Sequence, residues 1–518
     1  MANSSKSSFN SQPTQQQIQQ LIGLLNSNQL PQAEHVAKNL IRQHANVFIL
    51  HHILSLTLDG QQKFSESVTS YKNALKLQPN TPDLLFNLGI ALTQTQQLDE
   101  AIATYKKAIL IKPDFFEAHG NLGTVYQAQG QLTEAIESYQ KGLRINPQDA
   151  RAYFNLGTAL RDNGALTEAV DSYQKAISLF PNYTDAHNNL GETLRDLGDM
   201  NAAVNSYQAA LSLNPQHAQA NYNMAEFCYL AKRYLDAIPY FEASQLDDWQ
   251  ERRLYCLYKA EKFETFKSER DALISRNKHL SPFLATLSTH YSINFNEPDP
   301  YNFCKNGLDF VYRRSIPELV NTDLLRSLLN DIDNADIAER KQGRLTNGQQ
   351  SAGNLFKRQE VSFQTLANLI KKEFLAYKNH FANADCELIQ SFPDELEFTS
   401  SWYVKMQQGG HLSAHIHEIG WISGAVYLAM PNTNGLNDLE GAFEYGTHGD
   451  DYPINSSSKE TLFPTAHIMP NVGDIVLFPS SLFHRTIPFN SVDKRICIAF
   501  DLKPAAQKNP GKFAKNNY

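Results

Sequence analysis

The chain has 518 residues, of which 42% are hydrophobic and 19% are charged, and its formal net charge is −8. One hydrophobic core does not support this length, so we expect two or more domains. The composition is typical of a globular protein, and the acidic balance argues against a nucleic-acid partner. No segment approaches the roughly 18 consecutive apolar residues of a membrane span, so no membrane contact is expected.

The start of the chain and its cysteines indicate a cytoplasmic protein. Residues 1–14 are polar and lack the apolar stretch of a secretion signal, so they are predicted to be a disordered leader. The five cysteines are widely spaced and include no CxxC pair. Such an odd, unpatterned set favours reduced thiols over a disulfide framework.

A sequence repeat with a period of 34 residues follows the leader. One unit reads FFEAHGNLGTVYQAQGQLTEAIESYQKGLRINPQ, in which small residues recur where two helices approach and a proline ends the second helix. Period and residue types resemble the tetratricopeptide repeat, which implies an all-α solenoid. We predict an array over residues 15–278, with about seven repeats up to residue 247 and a degenerate hairpin at 250–278 that caps it.

One asparagine recurs at the same position of five repeats and is a candidate for peptide binding. These residues are Asn87, Asn121, Asn155, Asn189 and Asn223. Amide side chains in such a row can hydrogen-bond an extended peptide backbone. The row is similar to that of glycosyltransferases that modify proteins; the alternative is that Asn is merely frequent at this position. Repeat arrays mostly bind proteins, so a protein or peptide partner is expected, and self-association stays open.

The 34-residue period ends near residue 279, where a second domain is predicted. Residues 279–300 read as a linker, 301–505 as the domain and 506–518 as a basic tail. Helical patterns at 317–341 and 361–381 precede four short segments rich in aromatic and β-branched residues, which are LEFTSSWYVKM, GWISGAVYLAM, GDIVLFP and KRICIAFDL. Helices followed by such strands favour an α+β domain with a barrel or sandwich.

Three histidines and one arginine in these strands form a candidate site. His415 and His417 are two residues apart at a predicted strand, so both rings are expected on one face. His484 and Arg495 follow in and beyond the segment GDIVLFPSSLFHRT. Two histidines alone are weak evidence for a metal, but His484 and Arg495 at this spacing on predicted strands raise a metal site above the alternative of ordinary surface histidines.

This set resembles the iron- and 2-oxoglutarate-dependent dioxygenases, and most closely a bacterial-type branch of 2-oxoglutarate oxygenases. The resemblance covers residues 300–505 and implies a double-stranded β-helix (jelly-roll) barrel. It further implies that His415 and His484 bind Fe(II), with His417 as the favoured third ligand. Arg495 is expected to bind the far carboxylate of 2-oxoglutarate, and Tyr403 to donate a hydrogen bond to the same cosubstrate.

The middle ligand departs from the family pattern, which normally has a carboxylate where this chain has His417. A His ligand leaves the site with one less negative charge. Glu418 is an alternative, although a regular strand points it to the other face. Asp438 and Glu440 are further alternatives on a loop.

Three functions compete at this stage. The first is a hydroxylase that uses Fe(II) and 2-oxoglutarate and captures a protein or peptide through its repeats. The second is a three-His metal barrel enzyme that does not use 2-oxoglutarate. The third is a non-catalytic scaffold, in which the barrel has only a structural role.

Overall fold

The structure is a computed structural model that describes residues 12–276, 281–320, 322–334, 337, 339–340, 343–351, 354–393, 395–418, 420–432, 439–455 and 463–505. The predicted basic tail and most of the predicted leader lie outside these residues. The chain divides into two compact units. The first contains the described residues up to Ala231 together with Pro239–Leu246, and the second contains Lys232–Ile238 and the described residues from Asp247 onward.

Seven consecutive helix pairs follow one another from residue 15 to residue 244. Their bounds are α1 Gln15–Asn26, α2 Leu30–Gln43, α3 Phe48–Gly60, α4 Phe64–Leu77, α5 Pro82–Gln94, α6 Leu98–Ile111, α7 Phe116–Ala128, α8 Leu132–Ile145, α9 Ala150–Asp162, α10 Leu166–Leu179, α11 Thr184–Asp196, α12 Met200–Leu213, α13 Ala218–Leu230 and α14 Tyr234–Ser244. This confirms the predicted all-α solenoid. Within the described residues, no helix combines the length and the apolar character needed to cross a bilayer.

The repeated glycine and tyrosine explain how the two helices of a repeat pack. A Cβ atom built on Gly123 of α7 would lie 2.7 Å from the ring of Tyr139 on α8. Tyr139 itself is 1% exposed. The ring therefore occupies the space that the missing side chain leaves, and the same pairing recurs between Gly89 and Tyr105.

The second unit contains six helices and ten strands among its described residues. The helices are α15 Trp249–Lys259, α16 Phe263–Arg276, α17 Pro282–Phe295, α18 Asp323–Asn334, α19 Val361–His380 and α20 Glu387–Gln390. The strands are β1 Tyr312–Ser315, β2 Glu339–Arg340, β3 Leu345–Ser351, β4 Leu396–His415, β5 Ile422–Ala429, β6 Phe443–Gly446, β7 Thr465–Ile468, β8 Asp474–Pro479, β9 Phe483–Thr486 and β10 Arg495–Pro504.

The strands form one curled antiparallel sheet in the order β1-β8-β5-β10-β4-β9-β6-β7, with β3 also paired to β4. The long strand β4 joins its two halves, because its first part pairs with β10 and its end pairs with β9. One half is thus β8-β5-β10-β4 and the other is β4-β9-β6-β7. Side chains of both halves share one core that includes Val404, Tyr427 and Phe443. The predicted α+β fold class is confirmed.

Two predicted boundaries differ from the structure. The segment 279–300, predicted as a linker, contains the helix α17, whose first turn is capped by Ser281 accepting a hydrogen bond from the Leu284 amide. The sequence Ser-Pro followed by apolar residues is a helix start that outweighs the later prolines. The hairpin at 250–278 was predicted to cap the array, but its described residues, up to Arg276, belong to the second unit.

Candidate metal centre

Three imidazoles converge at the join between the two halves of the sheet. His415 ends β4 and pairs directly across the strands with His484 on β9. His417 lies two residues beyond the end of β4, and its Nε2 is 3.3 Å from Nε2 of His415. One ligand nitrogen from each ring can be chosen so that all three lie within 4.8 Å of one another. His415 and His484 are each only 7% exposed.

The sequence argument for this convergence was wrong in one respect. It placed His415 and His417 on a regular strand, but β4 ends at His415. The His417 amide instead hydrogen-bonds the carbonyl of Ser480 at 3.4 Å, in the turn before β9. The chain thus leaves the sheet and still directs the second ring to the same point.

Hydrogen bonds orient the rings so that Nε2 is the free nitrogen. Nδ1 of His415 lies 2.8 Å from the carbonyl oxygen of Ser413, and Nδ1 of His484 lies 3.2 Å from that of Leu482. A carbonyl only accepts hydrogen bonds, so Nδ1 carries the proton in both rings and donates it. The lone pair of each Nε2 is then available to a metal ion.

The third ring is held by a buried carboxylate. Nδ1 of His417 contacts Oδ1 of Asp501 on β10. Ser423 and Ser400 donate hydrogen bonds to this carboxylate at 2.7 and 2.8 Å. Burial acts to raise the pKa of Asp501, but His417 and the two hydroxyls outweigh it and lower the pKa below its usual value.

Burial keeps the two most enclosed imidazoles neutral. It lowers the pKa of His415 to about 3, with a further contribution from the neighbouring His417. It also lowers the pKa of His484 well below the usual value, and His415 adds to the effect. Neutral imidazoles are the form that binds a metal ion.

The rings face a cavity of about 340 Å³ that also contains Arg495. Arg495 is 2% exposed, and its Nε has no hydrogen-bond partner in the described part of the chain. Its guanidinium lies 5.0 Å from the ring centre of Tyr427, and Nη1 lies 3.9 and 3.8 Å from the sulfur atoms of Met406 and Cys497. A buried cation without an anionic partner is costly, so this arrangement suits an anionic ligand.

Tyr403, predicted to donate a hydrogen bond to the cosubstrate, is not among the residues that line the cavity, whereas its neighbours Trp402 and Val404 are. Successive residues of a strand face opposite sides, and this alternation directs Tyr403 away from the cavity, where Lys405 lies 5.0 Å from its ring centre. Tyr427, on the neighbouring strand β5, is the tyrosine that lies beside Arg495, and burial raises its pKa above the usual value.

The alternative carboxylate ligands are engaged elsewhere or lie outside the described residues. Glu418 forms an ion pair with Arg252 at 2.7 Å. Glu440 accepts hydrogen bonds from the backbone and side chain of Asn490. Asp438 lies outside the described residues. Among the described residues, only the three histidines form a cluster that could hold a metal ion.

The last asparagine of the row is buried, whereas the other four are half-buried. Asn87, Asn121, Asn155 and Asn189 are half-buried on the first helices of their repeats. Asn223 is 4% exposed, and its amide donates to Asn188 and Glu192 at 3.0 and 3.1 Å. The side chain of Asn223 is therefore already used within the array.

Sequence reasoning missed Asp501 as a partner of the site. The segment KRICIAFDL carries this carboxylate six residues after Arg495, which is an even spacing on one strand. Arg495, Cys497, Ala499 and Asp501 all line the cavity. The available signal was an acidic residue in an otherwise apolar strand, on the same face of the strand as Arg495.

Comparison with family models finds both parts of the chain. Residues 400–501 match a family described as "Putative 2OG-Fe(II) oxygenase". Tetratricopeptide repeat models match residues 61–95, 89–130, 121–184 and 188–250. The chain therefore combines tetratricopeptide repeats with a segment that resembles 2-oxoglutarate and Fe(II) oxygenases. No curated protein matches the chain.

Three solved structures that resemble this chain each cover less than half of it. MamA is 25% identical, with a TM-score of 0.31 over 32% of this chain and 97% of that one. YrrB, described as a TPR protein with an unusual peptide-binding site, is 22% identical, with a TM-score of 0.32 over 36% and 95%. A TPR repeat-containing protein from Cytophaga hutchinsonii is 17% identical, with a TM-score of 0.39 over 44% and 93%. Scores this low carry no functional argument.

Proposed function

We propose that the chain is an Fe(II)- and 2-oxoglutarate-dependent dioxygenase that hydroxylates a protein or peptide captured by its repeats. One observation carries this proposal: three imidazoles and a buried arginine, which has no anionic partner among the described residues, face the same cavity. The family match of residues 400–501 supports the same chemistry.

The residues fit the two groups that the proposal needs. His415, His417 and His484 offer three nitrogen ligands of the kind that Fe(II) accepts. The planar guanidinium of Arg495 can pair with a carboxylate through two parallel hydrogen bonds. When bound, Fe(II) and 2-oxoglutarate supply the oxidation, in which one oxygen atom of O₂ enters the substrate while 2-oxoglutarate becomes succinate and CO₂.

The protein's own residues orient the three imidazole rings and shield the cavity from water. Hydrogen-bond partners fix the orientations of the three rings: the carbonyls of Ser413 and Leu482 and the carboxylate of Asp501. The rings therefore need little reorientation when a metal ion binds. Phe443 and Phe478 line the cavity beside the histidines and limit the access of water.

Substrate capture is assigned to the repeats, because Asn87, Asn121, Asn155 and Asn189 keep amides at equivalent places of successive units. A row of amides recognises peptide backbone rather than particular side chains. Specificity for a residue type would then come from the cavity, and the array would supply affinity.

The test is succinate formation by the purified full-length protein, with Fe(II), 2-oxoglutarate and cell protein extract as the substrate pool. We expect succinate only when all three are present, and loss of turnover in His484→Ala. The matched control is His187→Ala, which replaces a half-buried histidine in the repeat helix α11. Absence of iron-dependent succinate with every substrate pool would contradict the proposal.

A second candidate is a three-His metal enzyme that does not use 2-oxoglutarate. The absence of a carboxylate from the described metal-ligand cluster favours it. Iron-dependent oxygen consumption that is indifferent to 2-oxoglutarate and to Arg495→Leu would support this candidate over the first.

A further inference from the structure

An exposed arginine lies on the solvent side of the cavity that the histidines face. Arg344 lines this cavity. Its carbonyl accepts hydrogen bonds from the amide and the hydroxyl of Ser413, at 3.0 and 3.3 Å. The carbonyl of Ser413 in turn accepts the hydrogen bond from Nδ1 of His415 at 2.8 Å. The backbone of Arg344 is therefore joined to the ring of His415 through a single residue.

The strand that follows Arg344 holds it next to the metal centre. β3 begins at Leu345, which pairs with Leu412 of β4, three residues before His415. Burial is the main cause of the lowered pKa of His415 and His484, and the positive charge of Arg344 contributes to both shifts. The guanidinium thus acts electrostatically on the same place where the imidazoles converge.

The other charged side chains of the cavity have partners or an assigned ligand. Arg485 forms an ion pair with Glu444, with 2.5 Å between Nε and Oε1. Asp501 is held by a histidine and two serines. Arg495 is assigned to 2-oxoglutarate under the proposed function. The side chain of Arg344 forms no hydrogen bond or ion pair within the described part of the chain, so its charge is available to a ligand.

We infer that Arg344 binds a carboxylate of the substrate, so that the peptide presented to the metal centre carries an aspartate or glutamate side chain. This inference deepens the proposed function and rests on it. A guanidinium pairs with a carboxylate through two parallel hydrogen bonds, and a positive charge at the entrance of a cavity attracts acidic ligands. Arg344 is then a specificity-determining residue that takes no part in the oxidation.

The experiment measures the binding of fluorescein-labelled peptides to the full-length protein by fluorescence anisotropy. The peptides differ only in their central residue, which is Asp, Asn or Lys. The protein is loaded with Zn²⁺ and saturated with 2-oxoglutarate, so that the cosubstrate is supplied and no turnover occurs. Asp and Asn have the same shape, and we expect the Asp peptide to bind about fivefold more tightly, which corresponds to about 1 kcal/mol. Higher salt should reduce this preference.

Two substitutions of Arg344 test its role. Arg344→Gln should remove the preference for the Asp peptide over the Asn peptide. Arg344→Glu should reverse the charge preference, so that the Lys peptide binds more tightly than the Asp peptide, and a folding defect does not produce such a reversal. The matched control is Arg326→Glu, which makes the same change of charge at a side chain of α18 that is 69% exposed and does not line this cavity. It should keep the preference of the parent.

Equal binding of the Asp and Asn peptides to the parent, or a preference that survives in Arg344→Gln, would overturn the inference. Loss of 2-oxoglutarate binding in Arg344→Gln would assign Arg344 to the cosubstrate and would overturn it as well. These outcomes are distinguishable from failure of the proposed function, which is the absence of iron-dependent succinate, because the anisotropy measurement involves no turnover.

Discussion

His417 and Asp501 form a buried pair in which the carboxylate contacts Nδ1 of the ring while Nε2 faces His415. A carboxylate thus stands behind the middle histidine of the cluster. Ser423 and Ser400 hold that carboxylate in place. An acidic residue behind a metal-binding imidazole fixes the ring and raises its basicity.

Asp501→Asn should weaken metal binding about 10–100-fold, the range for such supporting residues. Asparagine keeps the shape of the side chain and can still accept a hydrogen bond from Nδ1 of His417. It lacks the negative charge that makes His417 a stronger metal ligand. Affinity for Fe(II) or Zn²⁺ measured by competition with a chelator is the test.

Asp474→Asn is the control for loss of a buried carboxylate, because Asp474 lies in the same sheet and pairs with Arg313 instead of a histidine. It should lower the thermal midpoint and leave metal affinity unchanged. Equal metal affinities in Asp501→Asn and the parent would remove Asp501 from the site.

Arg495→Leu should raise the KM for 2-oxoglutarate far more than it changes metal affinity. Loss of a buried charge-assisted pair costs on the order of 2–5 kcal/mol, and each 1.4 kcal/mol is roughly a factor of ten. The KM from succinate formation is the measurement. Arg326→Leu is the control, because that side chain is 69% exposed and pairs only with Asp323 one turn away. An unchanged KM in Arg495→Leu would exclude Arg495 as the carboxylate ligand.

The sequence predicts the parts of this fold that depend on local periodicity. The 34-residue repeat predicts the helix pairs, and short segments rich in aromatic and β-branched residues predict β4, β5, β8 and β10. The convergence of His415 and His484 was also predictable, because the family resemblance relates distant positions.

Contacts between distant residues without a recurring pattern were not predictable. Which side of the sheet Tyr403 faces depends on which residues of β4 point into the cavity. The sequence alone does not determine this. The pairing of His417 with Asp501 depends on how the chain turns after β4. Asn223 occupies the same repeat position as Asn189, but its side-chain amide donates a hydrogen bond to Glu192.

His417→Ala should weaken metal binding. The metal affinity of His417→Asp should depend on whether Asp501 is present. Aspartate restores the carboxylate that is usual in the family, but it places a second negative charge beside Asp501, and like charges disfavour each other. We therefore expect His417→Asp to bind Fe(II) more tightly in an Asp501→Asn background than alone. The four affinities form a double-mutant cycle, and additive effects would show that positions 417 and 501 do not interact.

Two glycines of the same helix give the last prediction, which concerns the repeats. Gly120 and Gly123 both lie in α7. A Cβ at Gly120 would have no neighbour within 4 Å, whereas one at Gly123 would lie 2.7 Å from the ring of Tyr139. Alanine is the better helix former by about 0.5–1 kcal/mol, so Gly120→Ala should raise the free energy of unfolding by that amount.

Gly123→Ala gains the same helix propensity but forces the buried Tyr139 ring to move, and overpacking typically costs about 1–3 kcal/mol. Its net effect should be destabilising, since the ring is enclosed and the neighbouring helix α8 holds it. Chemical denaturation followed by circular dichroism at 222 nm measures both changes. Because the two substitutions are identical and lie three residues apart, equal effects would show that close packing of Gly123 on Tyr139 does not determine the stability of the repeat.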